Sequence, residues 1–233
     1  MKARDRGGKF CFTRGKKGLA IANCGFVLLL LVLIFLTGCE TTKTHKTRST
    51  FTTVVIDPGH GGHDSGANPH TILPEKFWTL EVGRRLERNL KRAGFRVVMT
   101  RSDDTFIPLD DRVSISNRQR DAVFVSIHFN YTNRRSIHGL ETYYTTTQSV
   151  DLARVIHSKI LEIPGLENRG TILAHYRVIR NNAHPAILIE GGYLTNREEA
   201  ARISSPGFLE ALARKISDGI VKYRGSAPAA AQQ

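Results

Sequence analysis

A chain of 233 residues with 40% apolar content can bury a sizeable core and suits one domain with appendages, which excludes a low-complexity or disordered protein. The formal net charge is +13, but six of those charges come from the first 38 residues, so the remainder is only moderately basic. Such a body suits an anionic partner, a wall polymer or a membrane face; it carries no arginine-rich helix with interleaved aromatics, which argues against nucleic acid. Cys11, Cys24 and Cys39 all lie at the amino end. The body therefore holds no disulfide and no thiol nucleophile, and any metal in it must be bound by histidine and carboxylate.

Positions 2–17 are basic, and residues 26–36 form an uninterrupted apolar run. That is the layout of a signal peptide, and at about 1.5 Å per residue the run is too short to span a bilayer comfortably. Leu36-Thr37-Gly38-Cys39 resembles the lipobox of bacterial lipoproteins, in which the cysteine is acylated. The alternative is an uncleaved signal anchor. The resemblance implies a cleaved lipoprotein signal peptide over 1–38, a lipidated Cys39 that anchors the protein to a membrane, and extracytoplasmic action. Glu40 after the cysteine favours the periplasmic face of an outer membrane, if the organism has one. Residues 39–51, polar and rich in Thr and Lys, read as a flexible tether.

Val54-Val55-Ile56-Asp57 is a buried strand stopped by Pro58, which cannot donate to a ladder, and Gly59. His60 stands at its carboxyl end in a turn with Gly61, Gly62 and Gly66. A helix opens at Leu73-Pro74-Glu75-Lys76, carries Val82, Leu86 and Leu90 on one face and Arg84, Arg85, Arg88 and Lys91 on the other, and ends at Gly94. Residues 95–99 form the next strand, and the strand–helix–strand unit implies a parallel pair with a right-handed crossover. Residues 109–120 predict a helix with Leu109, Val113 and Ser116 inward, and 122–128 a third buried strand that again ends in a histidine. The segment 139–144 alternates and predicts a strand near an edge. Residues 150–163 are a helix stopped by Pro164-Gly165; Val178-Ile179 and residues 186–190 supply the last strands, and 206–223 a closing helix. The tail, 225–233, reads as disordered. The expected fold is α/β: a single twisted, mostly parallel sheet flanked by helices on both faces, over residues 52–224.

Three strands thus end in His60, His128 and Glu190, and a parallel sheet gathers such ends on one rim. Glu75 reaches that rim if the glycine turn folds back. Two imidazoles and a carboxylate suit a zinc ion, but the spacing alone leaves open that these are unrelated rim and loop residues. The remaining histidines, His63, His70, His138, His157, His175 and His184, read as surface or loop residues, with His184 able to approach the cleft. Glu81 and Glu87 fit the solvated side of their helix.

Val55-Ile56-Asp57-Pro58-Gly59-His60-Gly61-Gly62, Glu75-Lys76, Thr100-Arg101, Ser126-Ile127-His128-Phe129-Asn130 and Ile189-Glu190-Gly191-Gly192-Tyr193-Leu194-Thr195-Asn196 together resemble the zinc-dependent N-acetylmuramoyl-L-alanine amidases of bacterial cell walls. The resemblance implies one zinc ion held by His60, Glu75 and His128. It implies Glu190 as general base for zinc-activated water, and peptidoglycan as the substrate. Asp57, Asn130 and Arg180 are candidates to orient ligands or bind substrate. Tyr193 and Phe129 stand where the family has an aliphatic and a small residue, which implies a differently shaped groove. Activator-controlled members carry an inserted helix that blocks the zinc; between His128 and Val178 no such segment is evident, so no obligatory activator is expected. The alternatives are another zinc hydrolase of the wall, a peptidase or deacetylase, or a lipoprotein that only binds peptidoglycan.

Overall fold

The computed structural model of the chain describes residues 51–67 and 73–226. The expected signal peptide, Cys39 and the tether up to residue 50 lie outside them, as do residues 227–233. Six strands, β1 (Thr53–Pro58), β2 (Arg96–Met99), β3 (Ala122–Asn130), β4 (Leu140–Tyr144), β5 (Asn168–Leu173) and β6 (Ala186–Tyr193), form one sheet in the order β2-β1-β3-β6-β4-β5. Every neighbouring pair is parallel except β4 against β6. The helices are α1 (Glu75–Arg92), α2 (Leu109–Asn117), α3 (Thr147–Ile160), α4 (Arg177–Arg180), α5 (Arg197–Ile203) and α6 (Pro206–Ser226). None in the described residues is long and apolar enough to cross a membrane.

Side chains alternate along a strand, so Val54 and Ile56 of β1 turn to one face and Val55 to the other. The first face carries the larger core. There Val125, Ile127, Ile187 and Ile189 lie under Val82, Leu86 and Leu90 of α1, Leu152 and Ile156 of α3, and Leu212, Ile216 and Ile220 of α6. These positions recur every third or fourth residue, the stripe an amphipathic helix needs, and truncating a fully buried one such as Leu86 to Ala costs about 2–5 kcal/mol. The opposite face is smaller: Val55, Phe124 and Leu188 under Val178 and Ile179, with Ile115 packed beside them. Helices therefore flank both faces, as expected. Phe51, on the tether side of the expected boundary, is buried and stacks on Phe95 at 5.6 Å between ring centroids.

The chain leaves β1 for β2 on one side and later returns to lay β3 on the other. The carboxyl ends of β1 and β3 thus flank a point where the strand order reverses, and α/β sheets open a crevice there.

Several local expectations are corrected. Val178-Ile179 is not a strand but the middle of α4: two apolar residues between Arg177 and Arg180 wind a single turn that presses both onto the smaller core. The edge strand on that side is β5, unrecognised because Asn168-Arg169-Gly170-Thr171 is polar and half exposed, which is how an edge is composed. β4 consequently lies inside the sheet, between β6 and β5, rather than near its edge. Helix α5 was also unforeseen. Asn196 caps it by accepting from the amides of Glu198 and Glu199, and the Asn-x-x-Glu spacing was the available signal. Leu109, expected inward, is 52% exposed, while Arg112 of the same helix is buried. Helix α6 runs to Ser226, past the expected start of the tail.

Candidate metal centre

His60 follows β1 by two residues and has a left-handed backbone, φ 64°, which costs a non-glycine residue about 1–2 kcal/mol. Reciprocal backbone bonds between Gly61 and Asp64 close the turn, and Asp64 Oδ2 meets His60 Nδ1 at 2.9 Å, orienting the ring. Glu75, the first residue of α1, folds its carboxylate back onto the rim. Its Oε2 stands 3.1 Å from His60 Nε2 and its Oε1 3.0 Å from His128 Nδ1. The amides of Ala67 and Phe129 donate to the same two oxygens at 2.8 and 3.0 Å. The donor atoms of His60, Glu75 and His128 all lie within 4.8 Å of one another, close enough to hold a metal ion. Two glycines make room for this. A Cβ on Gly59 would fall 2.2 Å from His128 Cε1, and one on Gly66 would fall 2.5 Å from Glu75 Oε2.

Glu190 pairs in register with His128 on one neighbouring strand and with Glu141 on the other, so the three stand in a row across adjacent strands. Its Oε2 is buried and has no hydrogen-bond partner among the described residues. Burial, and then the Glu75 and Glu141 carboxylates, push its pKa well above the usual carboxylate range. Glu75 moves the other way. Burial opposes its ionisation, but hydrogen bonds from His128 and His60 overcome that and hold it well below the usual range. Carboxyl groups driven apart in this manner can divide the labour of a site: one remains an anion that binds a cation, the other accepts and returns a proton. Two imidazoles and one carboxylate are a donor set of catalytic zinc, and a buried unpaired carboxylate oxygen beside them fits a waiting base.

The site opens into a cavity of about 420 Å³. His60, His128 and Glu190 line it together with Phe106, Leu109 and Tyr176. The four principal residues expected from the sequence are therefore brought together. Asn130 and Arg180 are not among the lining residues. Asn130 Nδ2 donates to Glu141 at 3.0 Å, and Arg180 Nε lies 3.3 Å from Asn181 Oδ1. Phe129 and Tyr193 are buried and are not among the lining residues either; the Tyr193 hydroxyl donates to Glu141. His184 turns to the Gln119 carbonyl instead of the cleft. His157 is buried between Thr142 and Asn168, which corrects its expected surface position. Glu81 and Glu87 pair with Arg85 and Lys91 of their own helix, as expected.

Residues 54–222 match the family model described as N-acetylmuramoyl-L-alanine amidase. The chain belongs to this family. Over 175 residues it is 36% identical to the N-acetylmuramoyl-L-alanine amidase LytC of Bacillus subtilis, an alignment covering 73% of this chain and 35% of LytC. It is 35% identical over 176 residues to the probable cell wall amidase LytH of Staphylococcus epidermidis, covering 75% of this chain and 59% of that protein. The chain thus spans less than two thirds of the length of these relatives. Among solved structures, the N-acetylmuramoyl-L-alanine amidase AmiC2 of Nostoc punctiforme superposes with a TM-score of 0.71 at 43% identity. That match covers 73% of this chain and 96% of AmiC2.

Some residues of this amidase domain's site went unrecognised in the sequence. Asp64 lies four residues after His60, a spacing that carries little signal outside a helix. Tyr176 comes from a connection whose fold could not be read, and Leu109, on a helix that was foreseen, was expected to face the core instead of the cavity. Arg112 did leave a trace: it stands three residues after Leu109 and one before Val113, on the stripe expected to face inward, where a charge calls for a partner.

Proposed function

We propose that this chain is a zinc-dependent amidase that hydrolyses the bond between N-acetylmuramic acid and the L-alanine of the peptidoglycan stem peptide. The observation that carries the reading is the unpartnered Glu190 carboxylate in register with His128, beside a His60–Glu75–His128 cluster, in a chain of the amidase family. Zinc held by His60, Glu75 and His128 would supply a Lewis acid that activates water and polarises the scissile carbonyl. Glu190 takes the proton of the attacking water and passes it to the departing amine of the alanine, on a strand end stiff enough to keep both within reach. Asp64 keeps the His60 ring in one orientation. Phe106, Leu109 and Tyr176 line the same cavity and offer the substrate apolar surface, which excludes water from the reacting bond.

A peptidoglycan substrate agrees with the moderately basic body. Anchoring through an acylated Cys39 would hold the enzyme outside the cytoplasm on a membrane facing the wall, with residues 40–50 giving it reach. Between His128 and α4 the only helix is α3, which packs into the sheet's core, so the site is taken to work without an activator. The test is digestion of purified peptidoglycan by the purified protein, with and without chelator, followed by mass spectrometry. Intact stem peptides with free amino-terminal L-alanine are expected. Shortened stem peptides would identify a peptidase, new amino sugars a deacetylase, and an unchanged wall a binding protein.

A further inference from the structure

Two buried arginines converge on the backbone of the turn that carries His60. Arg112 of α2 donates Nη2 to the His60 carbonyl at 2.7 Å, Nη1 to the Pro58 carbonyl at 2.8 Å and to Asp57 Oδ1 at 2.8 Å, and Nε to the Ile107 carbonyl at 2.8 Å. Arg101 donates Nε to the Pro58 carbonyl at 3.0 Å and Nη2 to the Gly59 carbonyl at 2.7 Å. The same Nη2 reaches the Lys76 carbonyl at 2.8 Å and Thr79 Oγ1 at 3.0 Å, in the first turns of α1. Three successive carbonyls, at Pro58, Gly59 and His60, are thereby held by guanidinium groups. One of those groups also grips the helix that presents Glu75.

An ion pair with Asp57 alone would not require this. A lysine could satisfy the charge, whereas four bonds in different directions use the planar fork that only arginine has. Placing two guanidinium groups side by side in the interior is itself unfavourable, since like charges repel and both lose water. What stands against that penalty is a strained left-handed residue whose carbonyl Arg112 fixes and whose ring belongs to the cluster.

We propose that Arg112 and Arg101 are positioning residues: Arg112 holds His60 in its left-handed conformation, and Arg101 ties that turn to the helix of Glu75, so that the cluster is shaped for its ion before the ion binds. The inference rests on the metal reading given above but not on the bond that is cleaved. Residues that orient metal ligands typically change affinity by about 10–100-fold when altered.

The test compares zinc affinity, by competition with a chromophoric chelator, in the parent protein, Arg112→Lys, Arg101→Lys and Ile220→Ala. The last variant weakens the core at a distance from the site. Both lysine variants are expected to bind zinc about 10–100-fold more weakly and to show an altered Co²⁺ visible spectrum, with activity recovering as free zinc is raised. Ile220→Ala should melt earlier with its zinc affinity unchanged. Lysine variants that melt earlier yet bind zinc as tightly as the parent would overturn the proposal. Hydrogen exchange on the unaltered protein gives an independent readout should the variants not fold. The amides of Gly59, Gly61 and Gly62, all hydrogen-bonded, should be protected equally with and without zinc. Protection that vanishes when zinc is removed would mean that the ion holds the turn, against the proposal. A parent protein that binds no zinc overturns the metal reading and this inference with it.

Discussion

Replacing Glu190 with Gln separates catalysis from metal binding and from folding. The substitution keeps the shape of the side chain but cannot take a proton. Loss of a positioned general base lowers rates by about 10²–10⁴-fold, which at 1.36 kcal/mol per decade is about 3–5 kcal/mol of transition-state stabilisation. The ligand cluster is untouched, because Glu75 makes its contacts with His60 and His128 and Glu190 makes none of them. The fold should not suffer either. Glu190 has a buried oxygen without a partner, and burial together with the Glu75 and Glu141 carboxylates disfavours its charged form, so a neutral amide is no worse suited to the position. The assay follows release of stem peptides from peptidoglycan at saturating zinc, with metal content and melting temperature measured on the same preparation. The expected result is activity lower by at least about 10²-fold, one zinc per chain, and a melting temperature equal to or above the parent's. Activity within tenfold of the parent, or activity lost only in step with zinc, would refute the role given to Glu190.

The remaining predictions address the ligand turn, the metal, the core and the anchor. Gly59→Ala forces a Cβ into the His128 ring at 2.2 Å, so zinc content and activity should fall together, with the rate down by about 10²-fold as the geometry slips; unchanged zinc content would contradict the packing argument. Chelator treatment should abolish hydrolysis and stoichiometric zinc should restore it, read by peptide release. Burial lowers the His157 pKa, with its bond to Asn168 only partly offsetting this, so the folded value lies below the unfolded 6.5. The neutral ring therefore contributes stability in full above about pH 6.5, and that contribution is lost as pH falls through the depressed folded value. The urea midpoint of His157→Gln should accordingly depend less on pH between 7.5 and 5 than the parent's. Cys39→Ala should move the protein from the membrane fraction to the soluble fraction and abolish labelling by radioactive fatty acid.

The parts of the fold that were legible in the sequence share a physical cause. β1, β3 and β6 are buried on both faces, so they read as short apolar runs, and α1 and α6 repeat apolar residues at helical spacing. Their strand ends carried His60, His128 and Glu190 to one rim, which made a shared site conceivable, and the resemblance to the amidase family then named these residues and Glu75 as its centre. What escaped lies where burial is partial. β5 is stabilised by pairing with β4 rather than by an apolar pattern, and α4 is one turn whose two apolar residues read equally well as strand. Tyr176, which lines the cavity, stands at the start of α4, so it was invisible and Arg180 was credited in place of its neighbours. Asn130 looked available because it adjoins His128, but its amide is committed to Glu141, a partner eleven residues on that only the β3–β4 arrangement reveals.

The most direct test of the account is anomalous scattering from a crystal of the zinc-loaded protein, recorded on both sides of the zinc edge. A single peak about 2.0–2.2 Å from side-chain atoms of His60, Glu75 and His128, with the Glu190 carboxylate beside it but not bound to it, is the predicted result. A peak ligated by other residues, or no peak at this cluster under saturating zinc, would contradict it.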